Sequence, residues 1–356
     1  MDSLTQIVLG AAVAASIAPP RHRRAALLAG AALGTLPDLD VIPTSLLLDD
    51  PIDRMTWHRG PSHSLLVLPI LAALIWAFFN RQGGRVAESP KRWWWAILLA
   101  LVTHPLLDAF TVYGTQLWWP LPPSPTMWSS IFIIDPLYTV WLLCACIAAW
   151  FLRWRPAAQT VLLTGLVLSS GYLAWSMVAK SMIDREATRV LAAEGMADAP
   201  RFSVPTPFNT LLWRVVAMTP TGYLEGERSI FDGDSPMRFR QYESDKFAER
   251  LANELPSAQR MAWFNRGFQR ARIYGDALVL TDLRMGSEPD YFFNYTVARR
   301  DAMGQWQALD PSERYSLPGA RPRTAQLGRV WDRIWQVPSV DAAQAANASP
   351  AINASK

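Results

Sequence analysis

The sequence predicts a polytopic α-helical membrane domain with about six apolar segments, the first two short, followed by a soluble α+β domain. Three observations lead there. The chain of 356 residues is 51% hydrophobic and 18% charged, but the averages hide two halves. Up to about Ala179 apolar runs alternate with short polar loops; from Lys180 onward charges recur regularly between apolar residues at strand or helix spacing. The runs approach the roughly 20 apolar residues that cross a bilayer. Basic residues gather in alternate loops, the pattern that orients membrane proteins. The expected organisation is a membrane domain over residues 1–180, a soluble domain over 181–337 and a disordered tail over the Ala-, Asn- and Ser-rich stretch 338–356.

Leu4 to Ala18 and Ala25 to Leu36 are short for full spans and rich in Ala and Gly. Gly30 and Gly34 form a small-xxx-small pair that lets helices approach closely, so the two segments read as a tight hairpin. Met1-Asp2-Ser3 lacks a basic n-region, and Pro19-Pro20-Arg21-His22-Arg23-Arg24 follows the first run, so it is expected to stay in the mature chain rather than leave as a signal peptide. Leu65 to Phe79, Trp93 to Phe110, Ile131 to Leu152 and Val161 to Ala179 complete the set. Trp93-Trp94-Trp95 suits an interfacial aromatic belt. Cys144 and Cys146, inside an apolar run, read as small core residues rather than a disulfide or metal pair.

Three loops are basic: Arg21, Arg23 and Arg24; Arg81, Arg85, Lys91 and Arg92; Arg153 and Arg155. The alternate loops, 37–64 and 111–130, carry only Arg54 and Arg59 against several Asp. The positive-inside rule puts the basic loops in the cytoplasm and the C-terminal domain outside it. In the soluble half, Leu211 to Met218, Tyr223 to Phe231, Ala277 to Leu283 and Tyr291 to Ala298 read as strands. Thr219-Pro220-Thr221-Gly222 reads as a hairpin turn. Asp245 to Leu255 and Ala258 to Phe268 read as helices. The net charge of +4 is spread out, with no aromatic-interleaved basic stripe, which argues against nucleic acid as a partner. The oligomeric state is not legible.

The chemistry-bearing residues sit at the edges of the apolar runs. Asp38 and Asp40 follow Pro37, and a carboxylate buried there needs a cation or strong donors. His58 and His63 flank a Gly-Pro turn. His104 and Asp108 are spaced i, i+4, on one face of a helix. Asp135 adds a carboxylate before Pro136. Imidazole nitrogens and carboxylate oxygens are the ligand set of zinc or a similar divalent ion. Each residue alone also has a structural reading: a hydrogen-bonded pair for His104 and Asp108, a cap or turn for Asp38 and Asp135, a loop residue for His58. His22, in a basic loop, reads as solvated. Together, three of the four histidines, each with a carboxylate near a membrane boundary, fall on one predicted face and point to a shared metal site.

The expected ligands are His58, His63, His104 and Asp108. Asp38 and Asp40 are further ligands, or one of them is a general base. That is more than one tetrahedral ion needs, so one or two divalent ions, zinc foremost, are expected, or some residues orient the others. Arg59 is placed either to neutralise an anionic substrate such as a phosphate or to form a salt bridge to one of the Asp residues.

Five blocks carry a family resemblance: Met1-Asp2-Ser3-Leu4-Thr5-Gln6, Gly34-Thr35-Leu36-Pro37-Asp38-Leu39-Asp40, His58-Arg59-Gly60-Pro61-Ser62-His63-Ser64, His104-Pro105-Leu106-Leu107-Asp108 and Tyr113-Gly114-Thr115-Gln116. In this order, over roughly residues 1–180, they resemble the YdjM-like family, whose members are described as LexA-regulated, membrane-bound metal-dependent hydrolases. The resemblance implies a bacterial inner-membrane protein with that activity. Where many members have a histidine in the opening block, this chain has Gln6, at most a weak oxygen ligand. The expectation is therefore a metal-dependent hydrolase at the outer membrane–water interface, acting on a lipid-like or small-molecule ester or phosphoester. The alternative is a non-catalytic membrane protein with a structural metal or ion-pair cluster and a partner-binding soluble domain. Transport is disfavoured, because the polar groups cluster at one end of the spans.

Overall fold

Asp2 starts the first helix, α1 (Ser3–Ile17), by accepting the Thr5 N–H at 3.1 Å, which satisfies one of the donors a helix start leaves open. The computed structural model describes residues 1–317 and 323–336; the tail expected over 338–356 lies outside them. Pro19 and Pro20 end α1 and open a 3₁₀ turn before α2 (Arg23–Thr35). The two helices touch backbone to backbone. A Cβ on Gly30 would meet the Gly10 carbonyl and Ala14, and one on Gly34 would meet the Gln6 carbonyl. Gly10 thus completes the small-residue stripe expected from Gly30 and Gly34.

A 3₁₀ turn (Leu36–Asp40) leads into α3 (Val41–Leu47), which buries none of its residues. α4 (Pro51–Trp57) is capped by Asp50, and a second 3₁₀ turn (Pro61–His63) precedes α5 (Leu68–Arg81). α6 (Gly84–Glu88), α7 (Pro90–Ala109), α8 (Pro136–Leu152) and α9 (Pro156–Ala193) complete the N-terminal part. Asp135 is the N-cap of α8, accepting from Leu137 N at 3.0 Å and from the Tyr172 hydroxyl at 2.8 Å; the turn or helix-end reading holds for it. α1 lies at the centre of this bundle, with Ala11, Ala12, Ala14 and Ala15 buried against α2, α7 and α8.

Six spans are not supported. Among the described residues two helical runs are long and apolar enough to cross a membrane, Pro20–Leu47 and Pro156–Ala193. A third counts if Pro51–His63 and Leu68–Arg81, bent by 56°, act as one. The reason is length and polarity. Ser3–Ile17 and Pro136–Leu152 have 15 and 17 residues, short of the roughly 20 a crossing takes. α7 has 20 residues but carries Lys91, Arg92, His104 and Asp108.

α9 is 38 residues long. The composition change near residue 180 falls inside this continuous helix. Its later turns pack Ala179, Ile183 and Ala187 on Trp213 and Val215. The soluble part is α+β. One antiparallel sheet has the order β1 (Arg201–Pro205), β2 (Leu212–Thr219), β3 (Gly222–Ser229), β4 (Arg238–Glu243). After α10 (Lys246–Asn253) and α11 (Pro256–Asn265) come β5 (Gln269–Tyr274), β6 (Ala277–Asp282), the short pair β7 (Gly286–Ser287) and β8 (Asp290–Tyr291), β9 (Asn294–Arg300) and β10 (Trp306–Arg314). The second sheet runs β10-β9-β6-β5. The expected hairpin closes with Thr219 opposite Gly222. α12 (Arg323–Trp335) returns to the first sheet.

The soluble part sits on the loops that follow the membrane helices. Ile52 and Met55 of α4 enter one core with Phe264, Leu280 and Tyr295; each side chain so buried contributes about 1.5–3 kcal/mol. Arg284 donates to the Tyr113 carbonyl at 2.6 Å, and Arg260 pairs with Asp53 at 2.8 Å.

Candidate metal centre

Three elements meet where α2 ends. The 3₁₀ turn after α2 supplies Asp38, the turn before α5 supplies His63, and the last turns of α7 supply His104 and Asp108. One donor atom from each lies within 4.8 Å of the others. His63 Nε2 is 3.1 Å from His104 Nε2, 3.4 Å from Asp38 Oδ1 and 3.2 Å from Asp108 Oδ2. His104 Nε2 is 3.4 Å from Asp38 Oδ1 and 3.5 Å from Asp108 Oδ2. A tetrahedral ion with ligands at about 2.0–2.1 Å has edges of about 3.3–3.4 Å between them. Five of the six edges of the cluster therefore match that figure.

Hydrogen-bond bookkeeping gives the same answer. His104 Nδ1 lies 2.6 Å from the Gly34 carbonyl; a carbonyl only accepts, so Nδ1 carries the proton. Ser62 Oγ lies 2.5 Å from Asp40 Oδ2 and 2.9 Å from His63 Nδ1. A carboxylate only accepts, so the serine donates to Asp40 and accepts from His63. In their neutral form both imidazoles then turn a bare Nε2 lone pair toward the same point, as metal ligands do. Asp38 Oδ1 and Asp108 Oδ2 are buried there without a hydrogen-bond partner. With both rings neutral, four electron-rich atoms face one another, an arrangement that a cation between them compensates, so the residues present fit a divalent metal ion.

The remaining expected residues form a surrounding layer. Asp40 accepts from His58 Nδ1 at 2.6 Å, Arg59 N at 3.0 Å and Ser62 Oγ. Neither Asp40 nor His58 is in the four-residue group: His58, expected as a ligand, and Asp40, expected as a ligand or general base, lie one step out, and Asp38 takes the fourth place. Of the two readings of Arg59, the structure holds the ion pair, and the partner is Asp108: Nε lies 3.1 Å from Oδ2. Arg59 also donates to Thr111 Oγ1 at 3.2 Å, and its guanidinium lies 4.8 Å from the Tyr113 ring centre. Its backbone sits in the left-handed region at φ 62°, held by Asp40 on its N–H and Gln116 on its carbonyl. Such strain persists where surroundings over-determine it.

Gln6 donates to Asp108 Oδ1 at 3.0 Å and to the His104 carbonyl at 3.2 Å, and the Met1 amino group also pairs with Asp108 Oδ1. Gln6 thus acts as a donor to a ligand rather than as a ligand. Ser62, Tyr113 and the Gly34 carbonyl were not anticipated. Ser62 could have been found from its place between Pro61 and His63; a backbone carbonyl leaves no sequence signal. His22 is not solvated: it is 6% exposed, with Nε2 3.1 Å from Glu88 and Nδ1 accepting from the Trp93 indole.

The centre opens on one side. His63, His104 and Asp108 side chains have no exposure, whereas Asp38 keeps 21%, Asp40 11% and His58 26%. Around that mouth Leu39, Val41, Ile42 and Trp57 are exposed.

Comparison with known proteins bears on the same half of the chain. Residues 1–183 match the family model described as YdjM inner membrane protein. The uncharacterized protein YfhP of Bacillus subtilis (strain 168) is 29% identical over 187 residues, covering 49% of this chain and 53% of its own. The inner membrane protein YbcI of Escherichia coli (strain K12) is 31% identical over 118 residues, covering 33% of this chain and 63% of its own. The chain thus spans between half and two thirds of the length of these curated relatives. No solved structure matches it.

Proposed function

Since the chain belongs to the YdjM inner membrane protein family, we propose that it is a membrane-bound, metal-dependent hydrolase acting on a lipid-like ester or phosphoester at the outer membrane–water interface. The observation that carries this reading is the convergence of Asp38, His63, His104 and Asp108 on one point. Two imidazoles and two carboxylates suit zinc among the divalent ions. When bound, such an ion supplies Lewis-acid polarisation of the scissile group and acidifies water.

The chain's own groups divide the rest of the work. Asp38, His63, His104 and Asp108 hold the ion. The Gly34 carbonyl and Ser62 keep the two imidazoles in the tautomer that offers Nε2. Arg59 offsets the charge of Asp108, so the two buried carboxylates do not face each other uncompensated. Asp40 orients His58 through Nδ1, leaving His58 Nε2 at the mouth as the group that moves a proton. The exposed apolar residues Leu39, Val41 and Ile42 beside the mouth support a substrate with an acyl chain. The basic loops support a multi-pass arrangement with the C-terminal domain outside the cytoplasm.

A second reading rests on a specific observation. Three of the four side chains have no exposure, and four protein donors complete a tetrahedral shell, as in structural zinc sites. In that reading the ion staples the turns after α2 and before α5 to α7. The test is turnover of carboxylic-ester and phosphoester lipids in mixed micelles by metal-loaded protein, beside His58→Gln. Metal-dependent turnover, lost in His58→Gln while the ion stays bound, supports the hydrolase. No turnover with any divalent metal leaves the staple.

A further inference from the structure

The underside of the soluble domain carries an aromatic surface that the metal centre does not use. Thr210 fixes its level. The Thr210 hydroxyl lies 3.2 Å from the Tyr172 hydroxyl and accepts the Trp175 indole N–H at 3.3 Å, both rings belonging to α9. Tyr172 in turn donates to Asp135 at the start of α8. Immediately after Thr210, Leu211 accepts the Ile230 N–H at 2.9 Å and Leu212 pairs with Ser229. The Ser229–Phe231 end of the first sheet is therefore its helix-bundle end, and the Thr219–Gly222 turn points away.

α12 packs at that near end. Ser229 donates to the Ile334 carbonyl at 2.7 Å, Arg333 grips Asp232 at 2.6 Å, and Ile334 is buried. Trp335 stacks on Phe231 with ring centres 5.1 Å apart, and Trp331 meets Trp335 edge-on at 5.7 Å. Yet Phe231, Trp331 and Trp335 remain 53%, 62% and 54% exposed. Leu327, Trp331 and Trp335 recur every four residues and form one helix stripe, so the helix turns a contiguous apolar face outward. Such a patch on a protein surface marks a contact. At the same level Trp175 and Phe208 are also exposed, and Phe208 lies edge-on to Phe132 at 6.1 Å.

We propose that this surface, Phe231, Leu327, Trp331 and Trp335, at the same end of the first sheet as Trp175 and Phe208, lies in the headgroup region of the same bilayer that α9 enters, and holds the soluble domain flat against the membrane. Tryptophan gathers at that depth because its ring is apolar and its N–H polar. The place of this surface at the level of Tyr172 and Trp175 on the membrane helix α9 selects lipid over a protein partner.

The test places a nitroxide at Trp331→Cys, and separately at Leu327→Cys, in the full chain carrying Cys144→Ala and Cys146→Ala. The protein is reconstituted in phosphatidylcholine–phosphatidylglycerol vesicles. Met303→Cys, at the far end of the β9–β10 hairpin and 87% exposed, is the aqueous reference. Collision with oxygen several-fold favoured over collision with a water-soluble nickel chelate, relative to position 303, supports the proposal. Nickel accessibility equal to that at 303 overturns it. Protection from both reagents also overturns it, because protein would then cover the patch. Leu327→Cys keeps the test decisive if replacing Trp331 unfolds α12.

Discussion

His63 Nε2 and His104 Nε2 face each other at 3.1 Å, although the Nδ1 of each ring is already committed as a donor, one to Ser62 and one to the Gly34 carbonyl. Two bare lone pairs held at that distance repel unless a metal ion or a proton lies between them. The second layer therefore controls the site as much as the ligands do. Ser62→Ala leaves all four ligands in place but frees the His63 ring to flip tautomer. Divalent-metal affinity is expected to fall about 10–100-fold while stoichiometry at saturating metal stays that of the wild type; isothermal titration checks it. Unchanged affinity would show that Ser62 does not set the tautomer.

The Gly34 carbonyl reaches His104 because α1 and α2 approach without side chains between them. Gly30→Val puts a branched side chain against the Gly10 carbonyl and Ala14. Overpacking of this kind costs about 1–3 kcal/mol. The expected outcome is a lower thermal midpoint in detergent together with weaker metal retention, although residue 30 touches no ligand. A shift in neither would mean that the helices can separate freely.

Much of this was legible in the sequence, and the misses have physical causes. Apolar periodicity located β2, β3, β6 and β9 and the helices α10 and α11. β1, β4, β5 and β10 escaped; β4 and β10, whose residues are mostly half-buried or exposed, lack that signal. His63, His104, Asp38 and Asp108 were named because ionisable groups at the edge of an apolar run demand partners. Separating ligands from orienters was not possible, because the offset between Asp40 and Asp38 depends on the 3₁₀ turn rather than on residue type. The span count failed because apolar runs were counted without their helical length: Ser3–Ile17 and Pro136–Leu152 have only 15 and 17 residues. α7 has 20 residues, but Lys91 and Arg92 are exposed at its start and His104 and Asp108 are buried in its last turns, which the run from Trp93 to Phe110 did not weigh.

The first sheet holds a buried polar group against the second. Tyr223 accepts from Arg270 at 3.1 Å, and Tyr291 donates to Glu225 at 2.8 Å. Burial, reinforced at Tyr291 by the Glu225 charge, pushes both phenols above the usual tyrosine range. A phenol raised in the folded state favours folding fully below its unfolded value, about 10, and the contribution is lost as pH rises beyond it. Unfolding of the soluble domain is therefore expected to ease above about pH 10, with the two phenolate signals appearing only on unfolding. Tyr291→Phe, followed by absorbance at 295 nm, removes one of them.

Orientation is tested independently. With the basic loops inside, an alkaline phosphatase fused after Arg201 is active and a cytoplasmic reporter at the same point is not. The reverse pattern would invert the arrangement and place the metal centre on the cytoplasmic face.

The central claim is that one divalent ion sits between Asp38, His63, His104 and Asp108. Elemental analysis of detergent-purified protein, beside His63→Ala, His104→Ala and His58→Ala, tests it most directly. The account predicts about one equivalent in the wild type and in His58→Ala, and its loss in both ligand variants while the protein still inserts. A folded wild-type protein that takes up no metal on reconstitution would contradict it, and the histidines would then be an ion-paired core of the bundle.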